Sequence, residues 1–190
     1  MRKKNNIAIL ASRNASNLEP IHGAIENNII DAKISLLISN NANAPALQKA
    51  KNLNIYAKII NSKISNNVSQ SIYDELIKCN CTHIVLCGYM KKLDPIITNN
   101  FIVINTHPAL LPSYGGVGMY GKYVHEKVIK NNEQYSGTTV HYVNENYDEG
   151  KIILQEKIVL SKNETVEQLE QKVKELEKIA IIKALKICLK

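Results

Sequence analysis

Apolar and polar positions alternate along the chain in blocks of two kinds. Short runs rich in Ile, Val and Leu recur at Ile7 to Ala11, Ile34 to Ile38, Ile55 to Ile60, His83 to Cys87 and Phe101 to Ile104, each bounded by turn residues. Their continuous apolar character predicts strands buried on both faces. Between them, Asn17 to Asn27, Ala44 to Leu53 and Val68 to Lys78 carry helical spacing, the last with Val68, Ile72, Leu76 and Ile77 on one stripe. The polar stretch from Asn61 to Asn67 reads as a loop. An alternation βαβαβαβ implies a mostly parallel, twisted sheet joined by helical crossovers and covered by helices on both faces, a doubly wound α/β fold.

The rhythm changes after this half. Gly121 to Asn131 predicts a helix, and Gly137 to Val143 and Ile152 to Leu160 predict two strands that close the sheet in antiparallel fashion, around a turn holding Asp148, Glu149 and Gly150. A long helix from about Val166 to Leu189 follows, with Leu169, Val173, Leu176, Ile179, Ala180, Ile182 and Leu185 as its apolar stripe. No linker, repeat or low-complexity tract divides the chain. The expectation is one domain over residues 1–190, with about seven strands in a Rossmann-like sheet.

Composition narrows the class. The chain has 190 residues, 45% of them hydrophobic and 22% charged, and no apolar run approaches the ~18 residues of a membrane span. The basic start MRKKNN lacks the long apolar stretch of a signal peptide, so the expected location is the cytoplasm, with no membrane partner. Cys79, Cys81, Cys87 and Cys188 show neither a CxxC spacing nor a usual zinc pattern, which argues for reduced thiols and against a metal. The net charge of +7 admits an anionic substrate, while scattered lysines, no Trp and a single Phe argue against a nucleic-acid partner.

In open α/β sheets ligands bind beyond the carboxyl ends of the strands, so four places carry the candidate chemistry. The turn Ala11 to Asn17 offers backbone N–H groups and a helix N-terminus to an anion, or Ser16 or Asn17 serves only as a helix cap. No GxGxxG is present, so a dinucleotide fingerprint is unsupported. Cys87 to Pro95 ends a strand in glycine and exposes backbone with Lys91 and Lys92; it lines a pocket or is a plain connection. Asn105 and His107 are two apart and share a side if the chain is still extended, pairing an amide that can stabilise an oxyanion with an imidazole that can move a proton. Asp148 sits in a turn from which a carboxylate could reach the same crevice.

Taken together, Asn105-x-His-Pro-Ala-Leu-Leu-Pro112, Gly137-Thr-Thr-Val-His-Tyr-Val143 and Asp148-x-Gly-x-Ile-Ile-Leu-Gln155 resemble the phosphoribosylglycinamide formyltransferases of the folate-dependent formyltransferase family. The resemblance runs from Ile7 to the last helix. It implies transfer of the formyl group of 10-formyltetrahydrofolate to the glycine amine of 5-phosphoribosylglycinamide in purine biosynthesis, with folate as co-substrate, small-molecule partners only, and a monomer or weak homodimer. By this resemblance Asn105 bonds the oxyanion, a protonated His107 stabilises it and donates the proton, and Asp148 raises the pKa of His107. Ala15, Ser16 and Asn17 match the phosphate loop, Glu177 a ribose contact, and Met90, Lys91, Lys92 and Leu93, with Asn105, the folate contacts.

Three departures from the family pattern stand out. Arg13 and Ala15 replace two glycines of the usual Ser-Gly-x-Gly-Ser-Asn loop, Lys174 stands where a glutamine often contacts the nucleotide, and no arginine matches the usual folate contact. If position 15 needs a positive φ, alanine there costs about 1–2 kcal/mol, and Arg13 could supply a compensating phosphate contact. The glycine-rich segment from Ser113 to Gly121 reads as a flap or a fixed loop. Methionyl-tRNA and sugar formyltransferases, and formyltetrahydrofolate deformylase, share the catalytic motif but belong to longer chains. A silent binding homologue would explain the altered loop but not the intact trio.

Overall fold

The structure is a computed structural model and describes residues 5–189. Seven strands form one sheet in the order β3-β2-β1-β4-β5-β6-β7. They are β1 (Asn5–Ala11), β2 (Ala32–Ser39), β3 (Ala57–Ile59), β4 (His83–Leu86), β5 (Ile102–His107), β6 (Tyr135–Tyr142) and β7 (Ile152–Val159). The helices are α1 (Leu18–Glu26), α2 (Pro45–Asn52), α3 (Val68–Lys78), α4 (Pro95–Thr98), α5 (Lys122–Lys130) and α6 (Val166–Cys188). The α/β class, the strand count and the long last helix are as the apolar pattern implies. Only α4 lacks a signal in that pattern: it is a single turn, too short to show a period, started by Asp94, whose carboxylate accepts from the Ile96 N–H at 3.0 Å.

The described residues divide into two compact units, 5–104 with Leu189 and 105–188. In the first, β1 pairs in parallel with β2 and β4, and β2 with β3. Ile7, Ile9, Leu10, Leu36, Leu37, Ile38 and Ile84 are fully buried, which explains why these strands read as unbroken apolar runs. One expectation fails in α3: Ile77 is 52% exposed, and Glu75 is buried. Glu75 is tolerated because Lys58 of β3 and Lys78 pair with it, and the Lys58 hydrogen bond holds its carboxyl below the ordinary carboxylate range despite burial.

In the second unit, β6 and β7 run antiparallel, and α6 packs on both and on α5. Its core gathers Ala109, Val124, Val128, Leu169 and Val173. The α6 stripe differs from the expected one: Ile179 is 51% exposed and Ile182 half-buried, while Ile181 and Ala184 are buried. A 3.6-residue turn puts Leu169, Val173, Ala180 and Ala184 on one arc and Ile179 off it. Glu177 falls on that same arc. The helix starts with a capping box, in which Thr165 Oγ1 accepts from the Gln168 N–H at 3.2 Å and Gln168 Oε1 from the Thr165 N–H at 3.0 Å. No helix among the described residues is long and apolar enough to cross a membrane.

Candidate active site

In the second unit, β5 stays extended through His107, so Asn105 and His107 leave the same face of the strand. The chain beyond is pinned by two adjacent threonines of β6. Thr138 Oγ1 donates to the His107 carbonyl at 3.0 Å, and Thr139 Oγ1 donates to the Ala109 carbonyl at 2.7 Å while accepting the Leu111 N–H at 3.0 Å. Both are fully buried, so their hydroxyls depend on partners within the protein and hold this stretch of backbone in return. That arrangement fixes where the His107 ring can stand.

Asp148 reaches the ring from its turn, adopting φ 58, a conformation Asp tolerates better than most residues. Gly150, two residues on, has no room for a side chain: a Cβ would lie 1.7 Å from the Tyr142 carbonyl oxygen. The tight turn thus delivers Asp148 Oδ2 to 3.4 Å from His107 Nδ1, with Oδ1 3.6 Å from His141 Nε2. Gly116 N–H donates to Oδ2 at 2.9 Å, and the Tyr114 carbonyl lies 2.7 Å from His107 Nε2.

His141 is a site residue that sequence reasoning misses. Its Nδ1 faces the Tyr142 carbonyl at 2.8 Å and must donate to it, so in the neutral ring Nε2 carries a lone pair. Asn105 Nδ2 lies 3.3 Å from that lone pair and can give it one of two N–H groups. The amide is then oriented, with its second N–H left for another acceptor. The clue in the sequence is the histidine within Gly137 to Val143, on a strand whose other residues are mostly apolar or small.

Burial is the largest influence on His107 and lowers its pKa; the Asp148 carboxylate and the Tyr114 carbonyl raise it without fully offsetting burial. Asp148 therefore acts with the expected sign, but the free ring sits below the ordinary histidine range. In the free protein, burial thus works against the protonated state expected of this ring. A ring 97% shielded from water loses hydration of its cation, and one carboxylate at 3.4 Å does not fully replace it. Asp148 itself is raised by burial, but the His141 and His107 rings in their charged forms, with the Gly116 N–H, bring it below the usual carboxylate range. It is the ionised partner of the set.

Glu177 lies in this unit too, half-buried on the inner arc of α6. Burial pushes its carboxyl up to about 8, opposed by the charge of Lys174, which is itself clipped to Glu170 at 2.6 Å. A proton is thereby available on Glu177 at neutral pH for hydrogen bonding.

The remaining expected site residues belong to the first unit, where Ser12 ties three strand ends together. Its Oγ donates to Asn40 Oδ1 at 2.6 Å and accepts the Met90 N–H at 2.8 Å, and its N–H donates to the Gly88 carbonyl at 3.1 Å. The turn holding Ala15, Ser16 and Asn17 and the stretch Met90 to Leu93 thus adjoin the same anchor, a role that no sequence pattern assigns to Ser12. Ala15 is buried at φ 48, so the position does need a left-handed backbone and alanine bears the strain. Asn17 gives no side-chain cap to α1, and its buried Oδ1 has no partner. The reading of this turn as a mere helix cap is therefore not what the structure contains. Arg13 is exposed, and Leu93 is buried while Met90, Lys91 and Lys92 are exposed.

The formyl transferase family profile matches residues 5–185. The chain belongs to the formyl transferase family. This formyl transferase is 38% identical over 176 residues to the phosphoribosylglycinamide formyltransferase of Haemophilus influenzae, spanning 90% of this chain and 81% of that one. Among solved structures, the phosphoribosylglycinamide formyltransferase from Coxiella burnetii is 30% identical, with a TM-score of 0.88 over 98% of this chain and 88% of its own. Glycinamide ribonucleotide transformylase 1 from Symbiobacterium toebii shares the fold at a TM-score of 0.91, covering 100% of this chain and 89% of that one at 23% identity.

Proposed function

We propose that this formyl transferase moves the formyl group of 10-formyltetrahydrofolate onto the amine of 5-phosphoribosylglycinamide, giving the N-formyl product and tetrahydrofolate. The observation that carries this reading is the convergence of Asn105, His107 and Asp148, with His107 Nδ1 3.4 Å from the carboxylate. Residues 1–190 work in this reading as one formyltransferase domain, supported by a family match over 5–185, in a cytoplasmic monomer or weak homodimer.

The folate donor supplies an activated formyl carbon that an amine can attack. Asn105 offers its second amide N–H to the oxygen that gains charge, held in place because the first N–H is given to His141. With Nε2 committed to the Tyr114 carbonyl, Nδ1, beside Asp148, is the nitrogen left to exchange a proton. Asp148 stays ionised and stabilises the imidazolium that forms when His107 takes a proton from the attacking amine, which it then returns to the departing folate nitrogen. A ring that begins neutral suits this accept-then-donate role. Burial and Asp148 pull the two charge states of His107 in opposite directions, burial toward the neutral ring and Asp148 toward the cation.

Ala15, Ser16 and Asn17 receive the phosphate at the start of α1, where Asn17 gives no side-chain cap and the helix dipole favours an anion. Met90 to Leu93 take the pterin edge through backbone groups that Ser12 holds in register, and Glu177 takes a ribose hydroxyl. No metal enters the scheme. The test is to mix the protein with phosphoribosylglycinamide and 10-formyltetrahydrofolate and follow tetrahydrofolate release. Turnover that vanishes in His107→Ala is the expected result, and no turnover by the unaltered protein refutes the function.

A further inference from the structure

Tyr114 occupies φ 59, a left-handed conformation that is uncommon and strained for a bulky residue. Both its ends are tied. Its phenol donates to Glu133 Oε1 at 2.6 Å and accepts from Asn131 Nδ2 at 2.8 Å, and its ring packs on the Ala109, Val124, Val128 core. Its carbonyl meets His107 Nε2 at 2.7 Å. The next residue, Gly115, has no room for a side chain, since a Cβ would stand 2.5 Å from Leu111 Cδ2 and 3.3 Å from Asp148 Cβ. One further along, Gly116 N–H binds Asp148 Oδ2. The turn therefore touches both members of the His107–Asp148 pair, and its outer end is held at the C-terminus of α5, where Asn131 caps the helix.

A carbonyl oxygen only accepts, so this contact requires the proton on Nε2. Asp148, also an acceptor, would by itself draw the proton of a neutral ring to Nδ1 and so select the opposite tautomer. We infer that Tyr114 is a positioning residue for the transfer: its phenol, clamped by Glu133 and Asn131, sets the carbonyl that keeps the His107 proton on Nε2 and leaves Nδ1 as the working nitrogen. Only the kinetic part rests on the proposed function.

The strut also bears on the protonation of His107. The groups facing the ring are Asp148 in the turn before β7, His141 on β6, and His125 on α5, with Glu170 and Lys174 of α6 acting on His125 in turn. Beside Asp148, the Tyr114 carbonyl also favours the cation, so loosening it leaves burial less opposed.

The experiment compares Tyr114→Phe, which keeps the ring on the core but cannot donate to Glu133, with Glu133→Ala and Glu133→Gln in the full chain. Imidazole nitrogen chemical shifts are recorded without substrate across pH, beside kcat, KM and melting temperature. In the unaltered protein the neutral His107 carries its proton on Nε2. In Tyr114→Phe and Glu133→Ala the population moves toward Nδ1, the His107 limb of the kcat profile moves to lower pH, and kcat falls about tenfold, as expected for one hydrogen bond of ~1.4 kcal/mol, with KM unchanged. Glu133→Gln, which keeps an acceptor oxygen, recovers the Nε2 tautomer. The inference is overturned if the variants retain Nε2 protonation, or if they melt earlier with the tautomer and the pH profile unmoved. Should the unaltered protein show no turnover, the proposed function fails while the nitrogen shifts still decide the role of Tyr114.

Discussion

Replacing Asp148 by Asn removes one negative charge and almost no volume, which makes it the sharpest probe of the pair. The carboxylate is 11% exposed at its side chain and lies 3.4 Å from His107 Nδ1, so most of its attraction for the imidazolium acts out of water. An opposite charge this close shifts a pKa by about 1–3 units, or about 1.4–4 kcal/mol, which converts to roughly a 10- to 1,000-fold loss in kcat if the cation forms only during the reaction. The substituted amide can still accept the Gly116 N–H through its oxygen, so the turn should keep its shape and KM for both substrates should stay within about threefold. Because Asp148 raises the pKa of His107 and burial lowers it, the variant leaves burial unopposed from this side, and the His107 limb of the kcat profile moves to still lower pH. Steady-state rates of tetrahydrofolate release between about pH 5 and 9 provide the measurement, spanning the histidine range on both sides. A variant with kcat within about threefold of the parent, or with an unmoved limb, would refute the electrostatic role assigned to Asp148.

Arg13→Ala should raise KM for the ribonucleotide several-fold with kcat unchanged, because the exposed guanidinium stands in the phosphate turn whose Ala15 already bears left-handed strain; an unchanged KM removes Arg13 from the binding account. Glu177→Gln should alter the pH dependence of stability in one direction. With its folded pKa raised to about 8 from an ordinary 4.5, the folded state holds more protons than the unfolded state between these values, so Glu177 makes stability decline as pH rises through that window. The variant should match the parent near the lower end of the window and be the more stable of the two near its upper end in urea titrations, and equal stabilities at both ends would show that the carboxyl is not perturbed.

Much of this protein was determined by local sequence. Strands buried on both faces must be apolar throughout, which is why β1, β2 and β4 stand out as Ile- and Leu-rich runs, and the same pattern sets the α/β class. The chemistry of the site is also legible where it is local: Asn105 and His107 share one strand, and a period of two puts them on one face. The buried stripe of α6 is only partly legible, because apolar content alone does not distinguish exposed Ile179 from buried Ala184; the helical angle and the neighbouring strands make that choice. Glu75 follows the same logic. A carboxylate on an inner helical face reads as an error until Lys58, 17 residues away, supplies its partner.

Tertiary structure alone decided how the catalytic groups meet and what state they are in. Asp148 is forty-one residues from His107, and its approach depends on the Gly150 turn against Tyr142, which no spacing rule specifies. The orientation of Asn105 by His141 and the tie of Ser12 across three strand ends are hydrogen bonds between segments remote in sequence, and the Tyr114 phenol is clamped by residues well beyond its own turn. The balance on His107 is settled in the same way. A sequence can show that a carboxylate is available to raise a histidine pKa, but the opposing cost comes from every group that excludes water around the ring, and only the packed fold sets it.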